Sequence, residues 1–91
     1  MPYMTTVTPR DSLLEQRCLL PDGACVELRL VREARGLSFH LAYLRAGECL
    51  LRYECSAAQA PTRSLRGRAA PYAFRSVEQL RYDFERDLET L

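Results

Sequence analysis

The strongest constraint on the fold of this chain is an Asp-Gly turn between two extended segments. The turn occupies residues 21–24, and residues 13–20 and 25–32 flank it. Asp-Gly in this position indicates a hairpin because both residues tolerate a positive φ. The second segment alternates apolar and charged residues, which is the period of a strand with one buried and one solvated face. Its predicted core face comprises Val26, Leu28 and Leu30.

A second pair of strands is predicted at residues 37–45 and 49–55, after a turn at residues 33–36. Both segments repeat the alternation of the first hairpin, so each has one apolar face. The residues on those faces are Phe39, Leu41, Tyr43, Cys49, Leu51, Tyr53 and Cys55.

The turn that joins this second pair decides which residues face each other. A two-residue turn, Ala46-Gly47, would set core residues opposite charged ones, whereas a turn that also includes Glu48 avoids this conflict. We therefore predict the three-residue turn, with a positive φ at Gly47. The core pairs are then Leu41 with Tyr53 and Tyr43 with Leu51.

A C-terminal helix is predicted from residue 77. Ser76 and Gln79 have the spacing of a capping box, in which the Ser76 hydroxyl caps the helix and Gln79 reaches back. Apolar residues then recur at three- and four-residue spacing and form one stripe that can lie across the sheet. The stripe comprises Val77, Leu80, Phe84, Leu88 and Leu91.

These elements predict an α+β fold: a four-stranded antiparallel meander sheet packed by one C-terminal helix. Residues 13–91 form the single domain, and residues 1–12 are predicted to be a flexible N-terminal arm. A chain of 91 residues has room for one core and a small stability margin, which makes a homodimer plausible. The arm lacks a signal-peptide core and no run of about eighteen apolar residues occurs, so we expect a cytoplasmic protein without a membrane partner.

The four cysteines are interpreted as small apolar residues of a reduced protein. No Cys-x-x-Cys pair occurs, and one histidine with scattered thiols makes a poor zinc site. Cys49 and Cys55 should lie about 20 Å apart along one strand, too far to bridge each other. Because no Gly-rich phosphate loop, nucleophile elbow or metal-ligand spacing occurs either, no cofactor and no metal is predicted.

Residues 56–71, between the last predicted strand and the helix, are predicted to form a basic loop. They hold Arg63, Arg66 and Arg68 and no acid, and Arg75 follows before the helix. Such a charge asymmetry can mark a phosphate-binding surface. The alternative is a loop whose arginines form salt bridges with neighbouring residues.

The acids of the helix are predicted to form a solvated face. They are Asp83, Glu85, Asp87 and Glu89. A second interpretation is that these acids hold the arginines of the basic loop or of a neighbouring subunit.

Aromatic residues near the arginines allow two interpretations as well. Tyr53, Tyr72 and Phe74 could stack on the bases of a single-stranded nucleic acid. Core packing is the default for Tyr53, which shares a face with Leu51. Tyr72 and Phe74 could instead fix the entry of the helix against the sheet, as in a hydrophobic staple.

His40 is the natural general acid or base of this chain because its ordinary pKa lies near neutrality. It falls on the solvated face of its strand, beside Arg52 or Glu54 of the next strand, with no obvious catalytic partner. The interpretation that we favour is therefore a surface histidine.

The order of the segments resembles the TumE-type toxin family of bacterial toxin-antitoxin modules. The segments that carry the resemblance are residues 20–29, 39–44, 50–54 and 71–80, with Asp83-Phe84. The family usually has an acidic residue followed by His-Arg-His before the helix. In this chain the corresponding residues 61–64 are Pro-Thr-Arg-Ser, so Arg63 matches and both histidines are absent.

The resemblance implies a toxin that acts on RNA, with a helix-turn-helix antitoxin as its partner. Loss of the two histidines removes groups that titrate near neutrality, whereas arginines can bind phosphate without proton exchange. The leading hypothesis is thus a catalytically degenerate domain that binds RNA or a partner protein through Arg63, Arg66, Arg68, Arg75 and Tyr72.

The sequence leaves two alternatives open. One is an active ribonuclease toxin, in which His40 and Arg63 would have to converge on one cleft. The other is a structural homodimeric assembly protein without a nucleic-acid role.

Overall fold

A computed structural model of the chain describes residues 11–33 and 36–91. Residues 1–10 of the predicted arm lie outside the described residues, as do residues 34–35 of the predicted turn, whereas Asp11 and Ser12 belong to the first strand. The described residues form six strands and one helix, in chain order β1 (Asp11–Leu19), β2 (Cys25–Glu33), β3 (Gly36–Arg45), β4 (Glu48–Ser56), β5 (Gln59–Leu65), β6 (Arg68–Pro71) and α1 (Val77–Glu89).

The sheet is an antiparallel meander in which each strand pairs with the next one, in the order β1 to β6. The predicted α+β class with one C-terminal helix is confirmed. The predicted count of four strands is wrong, because the segment expected to be a basic loop forms β5 and β6.

The turn between β5 and β6 explains why this segment is a hairpin. Arg66 and Gly67 both have a positive φ, 51° and 85°, as a tight two-residue turn requires. Leu65 and Arg68 pair directly across it, and β5 continues the ladder of β4. The small and polar residues of this segment suggested a loop, but pairing with an existing strand edge outweighs that weak propensity.

The hairpin of β3 and β4 has the predicted pairs but not the predicted turn. Leu41 lies opposite Tyr53 and Tyr43 lies opposite Leu51. The turn has two residues, Ala46 and Gly47, both with a positive φ. A bulge beyond Tyr43 accommodates one extra residue in β4 and so restores the register that the short turn would have shifted. The predicted positive φ at Gly47 is confirmed.

The first hairpin is confirmed, with Gly23 at a φ of 87°. The Asp22 carboxylate accepts a hydrogen bond from the Ala24 amide at 3.0 Å, and the Leu20 amide donates to the Ala24 carbonyl at 2.8 Å. Side chain and backbone thus both close this turn.

The helix begins as predicted and packs its apolar stripe on the sheet. The Ser76 hydroxyl accepts a hydrogen bond from the Gln79 amide, but the Gln79 side chain donates to Asp83 instead of reaching back, so half of the capping box forms. Phe74 packs on Phe39, with ring centroids 5.3 Å apart, and fixes the entry of the helix. The buried core comprises Ala24, Leu30, Phe39, Leu41, Tyr43, Leu50, Leu51, Tyr53, Leu80 and Phe84.

Candidate functional site

The arginines of the predicted basic loop separate into one that turns inward and others that face solvent. Arg63 lies opposite Tyr53 in the ladder of β4 and β5, so both side chains lie on the helix face of the sheet. Its Nε donates to the Asp87 carboxylate at 2.7 Å and to the Tyr53 hydroxyl at 3.1 Å. The interpretation as an internal salt bridge is therefore confirmed for Arg63.

Asp87 is the acceptor at the centre of this buried group. Its side chain is 6% exposed, and Oδ2 accepts the Tyr53 hydroxyl at 2.5 Å as well as Arg63 Nε. Tyr53 is fully buried beneath the helix. A carboxylate that accepts bonds from a guanidinium and a phenol has the partners that a buried charge needs.

A second carboxylate lies one helical turn earlier and repeats the pattern. Asp83 Oδ2 accepts a hydrogen bond from the Tyr72 hydroxyl at 2.5 Å, and Asp83 Oδ1 accepts one from the Gln79 side-chain amide at 2.9 Å. Arg86 Nη1 lies 3.3 Å from Asp83 Oδ1, and Arg86 Nη2 lies 3.5 Å from Asp87 Oδ1. The Arg86 guanidinium thus connects the two carboxylates. The predicted binding residue Tyr72 is thus engaged within the protein, and its ring packs edge-on against Tyr53.

The charges of this polar network shift the ionisation of its members. Burial alone would raise the pKa of the Asp87 carboxyl, but the hydrogen bonds from Arg63 and Tyr53 and the charges of Arg63 and Arg86 hold that pKa below its ordinary value. The hydrogen bond to Asp87 raises the pKa of Arg63. The Arg63–Asp87 pair therefore stays ionised at neutral pH.

Both tyrosines of the network should make the protein sensitive to alkali. Burial, and then the hydrogen bond to Asp87, raises the pKa of Tyr53 to about 12, and burial with the bond to Asp83 raises the pKa of Tyr72. Because an unfolded tyrosine titrates near pH 10, their contribution to the free energy of unfolding is complete below pH 10 and is lost as the pH rises towards 12. Urea unfolding from pH 9 to 12 measures this loss.

Phenylalanine at both positions is the matched control for the alkaline loss. A Tyr53→Phe/Tyr72→Phe variant should show a weaker decline over the same pH range, and tyrosinate absorbance should report fewer late-titrating phenols. An unchanged decline in the double variant would contradict the assignment.

Arg66 and Arg68 are the arginines that remain available at the tip of the β5–β6 hairpin. Both are exposed, and neither contacts an acid within the described part of the chain. The Arg66 amide donates to the Leu50 carbonyl at 2.8 Å, which fixes the turn against the start of β4. Arg45 lies at the neighbouring turn, over the ring of Tyr43.

Arg75 is exposed as well but lies towards the other end of the sheet. Arg75 follows Phe74, whose ring packs on Phe39, and Phe39 lies opposite Cys55 of β4. Arg68 lies opposite Leu65, which lies opposite Leu51 of β4. Four residues of strand separate Cys55 from Leu51, or about 13 Å. The structure therefore does not bring Arg75 together with Arg66 and Arg68.

His40 and Arg63 do not share a cleft. His40 lies opposite Glu54 in the ladder, on the face away from the helix, whereas Arg63 lies on the helix face. His40 Nε2 is 3.7 Å from Glu27 and Nδ1 is 3.5 Å from Glu54. His40 thus lies between Glu27 and Glu54, on the strand face that the sequence predicts to be solvated.

The predicted solvated face of the helix is wrong for Asp83 and Asp87, because both residues are buried. Glu85 and Glu89 are exposed as predicted. The spacing of the stripe already contained the signal, since Asp83 and Asp87 lie three residues after Leu80 and Phe84, on the same side of the helix. The second interpretation, that helix acids hold arginines of the preceding segment, is confirmed for Asp87 with Arg63.

No family model, curated protein or solved structure matches this chain. Within the described residues, no three side chains of His, Cys, Asp or Glu converge in a way that could hold a metal ion, and all four cysteines are free. The one described helix is not long and apolar enough to cross a membrane.

Proposed function

We propose that this chain is a cytoplasmic TumE-like domain of a toxin-antitoxin module that binds single-stranded RNA through the tip of the β5–β6 hairpin without cleaving it. The observation that carries the proposal is the pair of exposed arginines, Arg66 and Arg68, with no acid partner among the described residues. Both guanidinium groups are free to take phosphate oxygens, which they can bind in bidentate fashion.

The turn supports this role because it holds the two arginines on a defined frame. Arg66 occupies the first position of the two-residue turn, and Arg68 directly follows Gly67. The hydrogen bond from Arg66 to Leu50 ties the turn to the sheet, so less ordering is needed when a phosphate binds. Arg45, at the adjacent turn, can add a third positive charge.

The arrangement favours binding over catalysis. Arg63, the residue that matches the family motif, donates its Nε–H to Asp87 and Tyr53. His40 lies on the opposite face of the sheet, so the two candidate catalytic residues cannot act on one phosphodiester. An active ribonuclease would need groups that this pair does not supply.

Binding of a fluorescent single-stranded RNA at several salt concentrations tests the proposal. Arg66→Ala/Arg68→Ala should weaken binding and reduce the slope of log affinity against log salt by about 1.4, because each phosphate contact on a single strand contributes about 0.7. The matched control is Arg29→Ala/Arg32→Ala, which removes the same charge from exposed positions of β2. Arg75→Ala should have a smaller effect than the double variant at the hairpin tip.

The other outcomes of the same experiment separate the alternatives. Equal losses of RNA affinity in the two double variants would contradict the hairpin tip as the binding surface. Cleavage of the RNA would support the alternative of an active ribonuclease toxin. Failure of the wild type to bind RNA would overturn the proposal and turn attention to a helix-turn-helix antitoxin as the partner.

A further inference from the structure

The outer edge of β1 has the features of a strand that pairs with another chain. β1 has nine residues, contains neither proline nor glycine, and pairs only with β2 in the described sheet. Residues 15–19 are all exposed, and Leu19, at 75% exposure, is one of two exposed large hydrophobic residues in the described chain. An open edge of this length is a template for a further strand.

The opposite edge of the sheet, at β6, is protected. The Tyr72 amide donates to the Pro61 carbonyl, and alternation along the ladder then directs the backbone of Ala69 and Pro71 away from β5. Pro71 has no amide hydrogen, so this four-residue edge offers few donors to a partner. Of the two edges of the sheet formed by the described residues, β1 is therefore the one left open.

The hydrogen bonds of the first turn show which groups of β1 point outward. The Leu20 amide bonds to the Ala24 carbonyl, so Cys18 and Gln16, at alternate positions in the same register, direct their backbone groups to β2. The backbone groups of Glu15, Arg17 and Leu19 consequently face away from the sheet.

We propose that β1 pairs antiparallel with β1 of a second copy of this chain, about a twofold axis at Gln16. This register places Glu15 opposite Arg17 of the partner copy, and Arg17 opposite the partner's Glu15. Both residues of each such pair have outward-facing backbone groups, so the hydrogen bonds form together with the opposite-charge contacts. The two six-stranded sheets then form one continuous sheet.

Charge selects this register over its neighbours. Moving the twofold axis to Glu15 places two glutamates directly opposite each other, and moving it to Arg17 does the same with two arginines. Like charges in directly opposed positions destabilise a strand pair. The same two residues thus favour one pairing and oppose the adjacent ones, which is how strand pairing gains specificity.

Charge reversal tests the pairing through the dimer dissociation constant, measured by sedimentation equilibrium. Glu15→Arg and Arg17→Glu should each weaken the dimer at least about tenfold, because symmetry replaces two attractive pairs with two repulsive ones. The double variant Glu15→Arg/Arg17→Glu should recover most of the affinity, since the opposite charges meet again. A double variant as weak as the single ones, or a wild type that stays monomeric at all concentrations, would overturn the proposal.

A disulfide at the twofold axis gives a second test that does not depend on charge. Gln16 and its partner copy would form a pair without hydrogen bonds, with Cα atoms about 4.5 Å apart, which a disulfide can span. Gln16→Cys/Cys18→Ser should therefore form a covalent dimer under mild oxidation.

Wild-type Cys18 is the matched control for the cross-link. It is exposed and free, but in this register it lies four residues, about 13 Å, from the partner's Cys18. Cross-linking at Cys18 and not at Gln16→Cys would overturn the register. Circular dichroism establishes that each variant folds, and RNA binding at the far hairpin tip provides an independent readout, so failure of this interface does not imply failure of the proposed function.

Discussion

Replacement of Asp87 by alanine should lower the free energy of unfolding by about 3 kcal/mol, because it leaves the Arg63 guanidinium and the Tyr53 hydroxyl without their shared acceptor. Tyr53 is fully buried, so water cannot replace the bond that its hydroxyl loses, whereas the Arg63 side chain is 32% exposed and keeps part of its hydration. Urea unfolding measures the change. A loss of that size is a large fraction of the total stability of a chain of this length.

Two control variants separate the lost charge pair from a general disturbance of the helix. Glu89→Ala removes an exposed acid from the same helix and should change stability by less than about 0.5 kcal/mol. Tyr53→Phe/Arg63→Met/Asp87→Leu removes every polar member of the triad and should be more stable than Asp87→Ala, since no buried group is left unpaired. If Asp87→Ala matched Glu89→Ala, the buried triad would be the wrong explanation.

The same substitution should change the response to acid. The pKa of Asp87 in the folded protein lies below its ordinary value, so its contribution is present above about pH 4 and is lost as the pH falls through the lower folded pKa. Wild type should therefore lose stability below about pH 4 more steeply than Asp87→Ala does.

Phe84→Ala should lower the free energy of unfolding by about 4 kcal/mol, because Phe84 is 3% exposed and its removal leaves a cavity between the helix and the sheet. Its ring packs edge-on against Tyr53, with centroids 6.0 Å apart, and that contact is lost as well. Tyr82→Ala is the control on the same helix: Tyr82 is 61% exposed, and its truncation should cost less than about 1 kcal/mol. Comparable urea midpoints for the two variants would show that the helix does not pack on the sheet through Phe84.

The first four strands and the helix were predictable because each has a strong periodic pattern. The strands alternate apolar and charged residues, and the helix has a capped start and one apolar stripe. β5 and β6 lack that signal, since neither strand contains a buried residue. What forms them is pairing with β4 and the turn at Arg66-Gly67, and an Arg-Gly pair in a segment rich in small residues does not by itself distinguish a tight turn from a loop.

The candidate site was predictable in its charge but not in its geometry. The sequence located the arginines, yet only the register of β4 and β5 shows that Arg63 lies on the helix face beside Tyr53. Arg66 and Arg68 are of the same residue type, and their place at the turn keeps them exposed. The sequence could not predict the bulge in β4 either. A three-residue turn and a two-residue turn followed by one extra residue in β4 produce the same cross-strand pairs.

The bonds from Arg63 to Asp87 and from Tyr72 to Asp83 join the last two strands to the helix. No residue of β5 or β6 is fully buried, so once the helix leaves the sheet this hairpin is held mainly by its ladder with β4 and by partly buried side chains such as Leu65. Departure of the helix would in turn leave Arg63 and Tyr53 without an acceptor. We therefore expect the helix and the β5–β6 hairpin, with the proposed RNA-binding tip at its end, to stabilise each other, so that loss of the helix loosens the hairpin as well.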